Sequence, residues 1–216
     1  MDVRRLGLVA YEDAWALQSR LAGARRAGLV PDTLLLLEHP HTYTIGRSGT
    51  RDHVYLDAAE LSRRGIICLE VDRGGDVTYH GPGQLVGYPI FDLGPQPDVG
   101  RYLRDLEGCL IDTLANFGVR GDRLPGYTGV WIGDRKIAAI GVKVSQGITT
   151  HGFALNVSTD LSLFGHILPC GIPDKGVTSI EVVLGQAPRM REVEDAVVAH
   201  FMSRFVLPGT PAAHVA

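Results

Sequence analysis

Cys170 stands between Pro169 and Gly171 in the run Phe164–Pro173 (FGHILPCGIP), outside any helical or strand periodicity. A thiol in such a turn reads as a nucleophile rather than as packing. Cys109, on the apolar face of a helix, and Cys68, in an apolar strand, read instead as packing, the usual fate of a cysteine. An ordinary thiol has a pKa of about 8.5 and is only a few per cent ionised at neutral pH, so a nucleophilic role calls for a neighbouring cation. Lys136, His80 and His151 are candidates, with Lys175 and His166 behind them. Such pairs meet in space rather than along the chain, so spacing leaves the choice open.

Two further segments carry chemical potential. Arg73–Gln84 (RGGDVTYHGPGQ) packs four glycines around Thr78, Tyr79 and His80, so that bare backbone can approach a ligand; a surface turn is the bland alternative. It lacks the GxxxxGK[ST] pattern of a phosphate loop. In Gly133–Lys143 (GDRKIAAIGVK), Lys136 enters an apolar run where a lysine can act as a base, although a snorkelling lysine at a strand start is the commoner case. Strict alternation puts Lys136, Ala138 and Ile140 on one face and Lys143 on the other.

The elements that must position these groups follow from periodicity. Apolar residues at Ala14, Leu17, Leu21 and Ala24 predict a helix over Tyr11–Ala27 that stops at Gly28. Thr33–Leu37 reads as a buried strand running toward Pro40. Asp57 caps a short helix through Arg64, Gly65 ends it, and Ile66–Val71 follows as a strand. Gln84–Leu93 is a strand after the glycine-rich loop. Leu103, Leu106, Leu110, Leu114 and Phe117 predict a helix over Arg101–Phe117. Val130–Ile132 and Lys136–Val144 form strands around a tight turn at Gly133-Asp134, and His151–Val157 continues the pattern. A last helix, Glu192–Phe205, aligns Val193, Val197, Phe201 and Phe205. This irregular order favours α+β over repeated βαβ units.

At 216 residues, with 45% hydrophobic and 21% charged residues, the chain suits a single globular domain over 1–207 with a flexible tail over 208–216. A net charge of −3 gives no electrostatic case for nucleic acid. No apolar stretch reaches membrane-spanning length and the N-terminus lacks a signal core, so a cytoplasmic setting is expected. Three widely spaced cysteines without a CxxC argue against a disulfide framework and against zinc. No metal or cofactor is expected.

Taken together, the segments RGGDVTYHGPGQLVGYP (Arg73–Pro89), GVWIGDRKIAAIGVKV (Gly129–Val144), THGFALNV (Thr150–Val157) and LPCGIPDKGVTSI (Leu168–Ile180), with EHPHTYTIG at Glu38–Gly46, resemble the lipoyl(octanoyl) transferase family. The similarity runs from the first helix to about Leu207 without departure at the motif positions. It implies the biotin/lipoate protein ligase-like fold: a mixed sheet plus a small antiparallel sheet, with flanking helices. By that resemblance Cys170 is the acyl-carrying cysteine and Lys136 its lysine. The octanoyl pocket comprises Arg73, Gly74, Gly75, Asp76, Val77, Thr78, Tyr79 and His80, with Ala139, Ile140 and Gly141, and Gly152, Phe153 and Ala154. Lys143 takes no catalytic role.

The activity so implied is cofactor-independent transfer of an octanoyl group from octanoyl-acyl carrier protein to a lysine of lipoyl domains. The acceptors would be 2-oxoacid dehydrogenase complexes and the glycine cleavage H protein, and nucleic acid and membrane play no part. An ATP-dependent lipoate or biotin protein ligase is the nearest rival. A non-catalytic module that binds acylated carriers comes next. A papain-like hydrolase is disfavoured because its cysteine context is missing.

Overall fold

The structure, a computed structural model, describes residues 1–168 and 175–206. Cys170 and the 208–216 tail lie outside the described residues. Eleven strands and five α-helices follow one another: β1 Asp2–Leu8, α1 Tyr11–Arg26, β2 Thr33–Glu38, β3 Thr42–Ile45, α2 Ala58–Arg63, β4 Ile67–Glu70, β5 Val77–His80, β6 Gln84–Ile90, α3 Val99–Ala115, β7 Asp122–Leu124, β8 Tyr127–Ile132, β9 Arg135–Ser145, β10 Ile148–Asn156, β11 Gly176–Val177, α4 Ile180–Leu184 and α5 Met190–Phe201, among the described residues.

Eight strands form one mixed sheet in the order β1-β2-β6-β10-β9-β8-β7, with β11 added in parallel beside β9. Helices cover both faces, so its central strands β2, β6 and β10 are buried along nearly their whole length. In β2, Leu34 and Leu36 pack with Leu106 and Leu110 of α3 and Val193, Val197 and Phe201 of α5, whereas Leu35 and Leu37 pack with Ala14 and Leu21 of α1. That split is the two-residue alternation of a strand. Buried Glu107 ties α3 to the sheet, accepting from the Gly129 N–H at 3.0 Å and from Arg123 at 2.9 Å.

The four expected helices fall where the sequence pattern puts them, with ends moved by capping groups, and the short α4 is an addition to them. The Asp98 carboxylate accepts the Arg101 N–H at 2.9 Å and starts α3 earlier than expected. Asp57 caps α2 in the same way through the Glu60 N–H at 2.7 Å. The last helix starts two residues early and gives way to a wider turn over Met202–Val206.

A second sheet, β4-β3-β5, packs its own core of Tyr43, Val77, Tyr79 and Phe164. It differs from the expected all-antiparallel arrangement: β3 runs antiparallel to β5 but parallel to β4. Parallel neighbours need a long crossover. The segment between β3 and β4, with its 3-10 turn at Arg51–His53 and α2, provides one. Val77–His80, expected within a loop, is the fully buried strand β5. The charged edge strand β1 shows no apolar alternation and was not expected.

A β-bulge corrects the expected facing of β9. Trp131 pairs with Lys136 and Val130 with Ala138, leaving Ile137 as an extra residue. Ile137 and Ala138 therefore both enter the α3/α5 core, and Lys136 moves to the face it shares with Ala139, Gly141 and Lys143.

Candidate active site

Between the two sheets lies a cavity of about 210 Å³ whose walls come from five places: the β4–β5 loop and β5, β9, the middle of β10, α1 with β6, and the start of β8. Arg73, Gly74, Gly75, Asp76, Val77, Thr78 and His80 line it from one side. Ala139, Ile140 and Gly141 with Gly152, Phe153 and Ala154 line it from the other, and Lys136 stands on the same wall. Tyr79 does not line it. As alternation in β5 requires, its ring turns into the small-sheet core against Tyr43 and Phe164, and its hydroxyl meets His41 Nδ1 at 2.7 Å.

The glycine-rich loop is held between the sheets by backbone. Gly74 donates its N–H to Val142 O of β9 at 3.0 Å, while the Arg47 N–H donates to Arg73 O at 3.0 Å and the Ser48 N–H to Gly75 O at 3.1 Å. A Cβ at Gly141 would lie 2.8 Å from Gly74 O and 3.2 Å from Arg73 Cδ, so glycine is what lets the loop seat on β9. The Arg73 side chain is buried, donating to Thr44 O at 2.7 Å, to Thr44 Oγ1 at 2.8 Å and to Gly74 O at 3.0 Å.

Several groups here lie outside the motif positions assigned to the pocket: Tyr11 of α1, Tyr88 of β6, His151 of β10, and Gly126, Tyr127 and Thr128 at the start of β8 also line the cavity. Helical and strand alternation place Tyr11 and Tyr88 on inward faces, but only the meeting of α1, β6 and β10 brings them together. Burial holds the nearby imidazoles neutral. Desolvation pushes His39 down to about 4 against the pull of its bond to Val9 O. His80 is pushed well down by desolvation, then by His39 and Arg73. His151 is lowered by desolvation although Asp72 opposes it. His80 and His151 thus supply no imidazolium to a thiol.

Lys136 differs. Its Nζ lies 4.8 Å from the centroid of the Trp131 ring, and it borders both the main cavity and a smaller one that also touches Ala139, Phe164 and Val177. Both chain ends that flank segment 169–174 are fastened by backbone bonds, the second of them on Lys136 itself. The Leu168 N–H donates to His53 O at 2.9 Å, and the Thr178 N–H donates to Lys136 O at 3.0 Å while Val177 of β11 pairs with Lys136 itself. A buried amide relay supports this arrangement: His80 Nδ1–H donates to Gln84 Oε1 at 2.8 Å, Gln84 Nε2 to Asn156 Oδ1 at 3.0 Å, and Asn156 Nδ2 to Thr178 O at 2.9 Å. Lys175 and His166 lie outside the cavity lining. Among the described residues no three His, Cys, Asp or Glu side chains cluster to hold a metal ion, and no helix is long and apolar enough to cross a membrane.

A mixed sheet with a small companion sheet and a cavity between them defines the fold of lipoate and biotin protein ligases. A bipartite lipoate protein ligase from Thermoplasma acidophilum is similar with a TM-score of 0.73 at 18% identity, covering 94% of this chain and 84% of that one. The biotin protein ligase of Aquifex aeolicus, in complex with biotin and ATP, is similar with a TM-score of 0.58 at 13% identity, over 94% and 69%. The chain belongs to the lipoyl protein ligase A/B catalytic domain family, whose model matches residues 10–202. Its relatives include proteins named octanoyltransferase. The one from Chloroflexus aggregans is 53% identical over 96% of each chain, and the one from Rubrobacter xylanophilus 54% identical over 97% of this chain and 96% of its own.

Proposed function

We propose that this protein transfers an octanoyl group from octanoyl-acyl carrier protein to the target lysine of lipoyl domains through a thioester on Cys170. Relatives of the same length, more than half identical and named octanoyltransferase, support the activity. The observation that carries the chemistry is the position of Lys136 on the cavity wall, paired with the strand that follows segment 169–174. Cys170 itself lies outside the described residues.

In the first half-reaction the Cys170 thiolate attacks the donor carbonyl. The carrier's thiol leaves with a proton, and one thioester replaces another at nearly no cost. In the second the acceptor's neutral lysine amine attacks the acyl-Cys170, an amide forms, and the Cys170 thiol is released. Lys136 as ammonium stabilises the thiolate, and as amine it takes the proton lost by the attacking nucleophile. Ala139, Ile140, Phe153 and Ala154 offer apolar wall to the acyl chain, with Arg73–Thr78 and His80 opposite. Both steps exchange acyl bonds, so the scheme invokes neither ATP nor a cofactor. The acceptors are lipoyl domains of 2-oxoacid dehydrogenase complexes and the glycine cleavage H protein, and the setting is the cytoplasm, where a free thiol persists.

Intact-protein mass spectrometry after incubation with octanoyl-acyl carrier protein tests the scheme. An octanoyl adduct is expected on the native protein and none on Cys170→Ala. An adduct that survives the substitution moves the nucleophile elsewhere. A strict need for ATP with free octanoate replaces transfer by ligation.

A further inference from the structure

His151 sits within β10 with φ +56°, one of two non-glycine residues in the left-handed region among the described residues. Such a conformation is strained in a non-glycine residue and persists only where surrounding contacts impose it. Two contacts do so. The His151 N–H leaves the sheet ladder to donate to Gln18 Oε1 of α1 at 2.7 Å. The imidazole is 1% exposed, and its Nε2–H donates to Asp72 Oδ1 at 2.7 Å. Lys143 of β9 donates to the other carboxylate oxygen. Desolvation pushes the Asp72 carboxyl up, but the bonds and charges from Lys143 and His151 outweigh it and hold it below its usual value. Asp72 is thus an anion, which fixes the proton of neutral His151 on Nε2.

Asp72 is the residue immediately before Arg73, at the root of the cavity's glycine-rich wall. That wall touches the large sheet through the Gly74–Val142 backbone bond and through Asp72. We infer that His151 is a positioning residue: its strained backbone aims the imidazole at Asp72, and the His151–Asp72–Lys143 clamp holds the Arg73–Thr78 wall against β9 and β10 at the spacing that grips the acyl chain. His151 acts through Asp72 and exchanges no proton with substrate. This rests on the octanoyl-transfer reading above.

Steady-state octanoyl transfer with octanoyl-acyl carrier protein as the varied substrate is the test, read beside thermal unfolding. His151→Gly removes the imidazole and relaxes φ. It is expected to raise KM for the donor roughly tenfold, leave kcat within about threefold, and leave Tm unchanged or higher. His151→Asn, which tolerates the left-handed backbone and keeps an N–H donor, is expected to recover part of the loss. Asp72→Asn is expected to raise KM similarly, and the double variant to be no worse than the poorer single one, because both act on one contact. An unchanged KM in both single variants, additive losses, or a KM rise matched by an equal fall in kcat would overturn the inference. Absence of transfer by the native protein sinks the underlying reading instead, before any variant is compared.

Discussion

The two ends of β9 each present a lysine to the same face of the sheet, and their surroundings set them apart. Lys143 is neutralised by Asp72, which also receives His151, so its charge serves to fasten a loop. Lys136, beyond the bulge at Ile137, lies over the Trp131 ring on the wall of a cavity and beside the strand that emerges from segment 169–174. One strand therefore uses the same side chain twice, once as structure and once, on our reading, as chemistry. A cation locked to a carboxylate in a hydrogen-bonded pair cannot serve a thiolate as well.

The sharpest way to break this contrast is to remove each ammonium. Lys136→Ala is expected to lower kcat for octanoyl transfer about a hundredfold or more near neutral pH, the range for loss of a general acid–base group. Lys143→Ala is expected to cost only a few-fold, appearing in KM. Equal losses in stopped assays of the two variants would erase the distinction.

Next in size is the seating of the loop between those ends. Gly141→Ala puts a methyl against Gly74 O, and moving that backbone is expected to cost about 1–3 kcal/mol in chemical denaturation together with a rise in KM.

A pH test follows from the buried imidazoles. The folded pKa of His39 is about 4 against an ordinary 6.5, so the folded state binds fewer protons than the unfolded one between those values. Stability is full above about pH 6.5 and falls as pH drops toward 4, by on the order of 3 kcal/mol from His39 alone. His80 and His151, lowered in the same direction, add to the loss. Denaturant midpoints that stay flat from pH 7 to 4.5 would contradict it.

The smallest effect belongs to Tyr79→Phe. It removes only the bond to His41 in the small-sheet core and is expected to cost about 1 kcal/mol of stability with KM unchanged. A changed KM would return Tyr79 to the cavity.

Much of this site was readable in one dimension. The helices announced themselves by 3.6-residue spacing, β2 by its apolar run, and the motif segments carried all but one of the pocket positions to the cavity wall. Tyr79 was misjudged because a glycine-rich stretch concealed the strand β5, whose alternation sends every second side chain into another core. The facing of Lys136 was misjudged because a bulge follows from pairing with β8 rather than from the residues of β9. His151 was visible only as a candidate cation, since burial, which neutralises it, is a property of its neighbours.

The sequence by itself determined which segments carry chemistry, where four of the helices and the strands β2, β4, β6, β8, β9 and β10 run, and to which family the pattern is similar, because each of these is local or rests on residue identity. Tertiary structure alone decided which lysine meets the cavity, that two histidines are neutral, and that Asp72, His151 and Lys143 come together. Those outcomes depend on desolvation, on strand pairing and on side-chain contacts between distant residues, such as the Asp72–His151 bond across 79 positions, and none of these is written in any local stretch of chain.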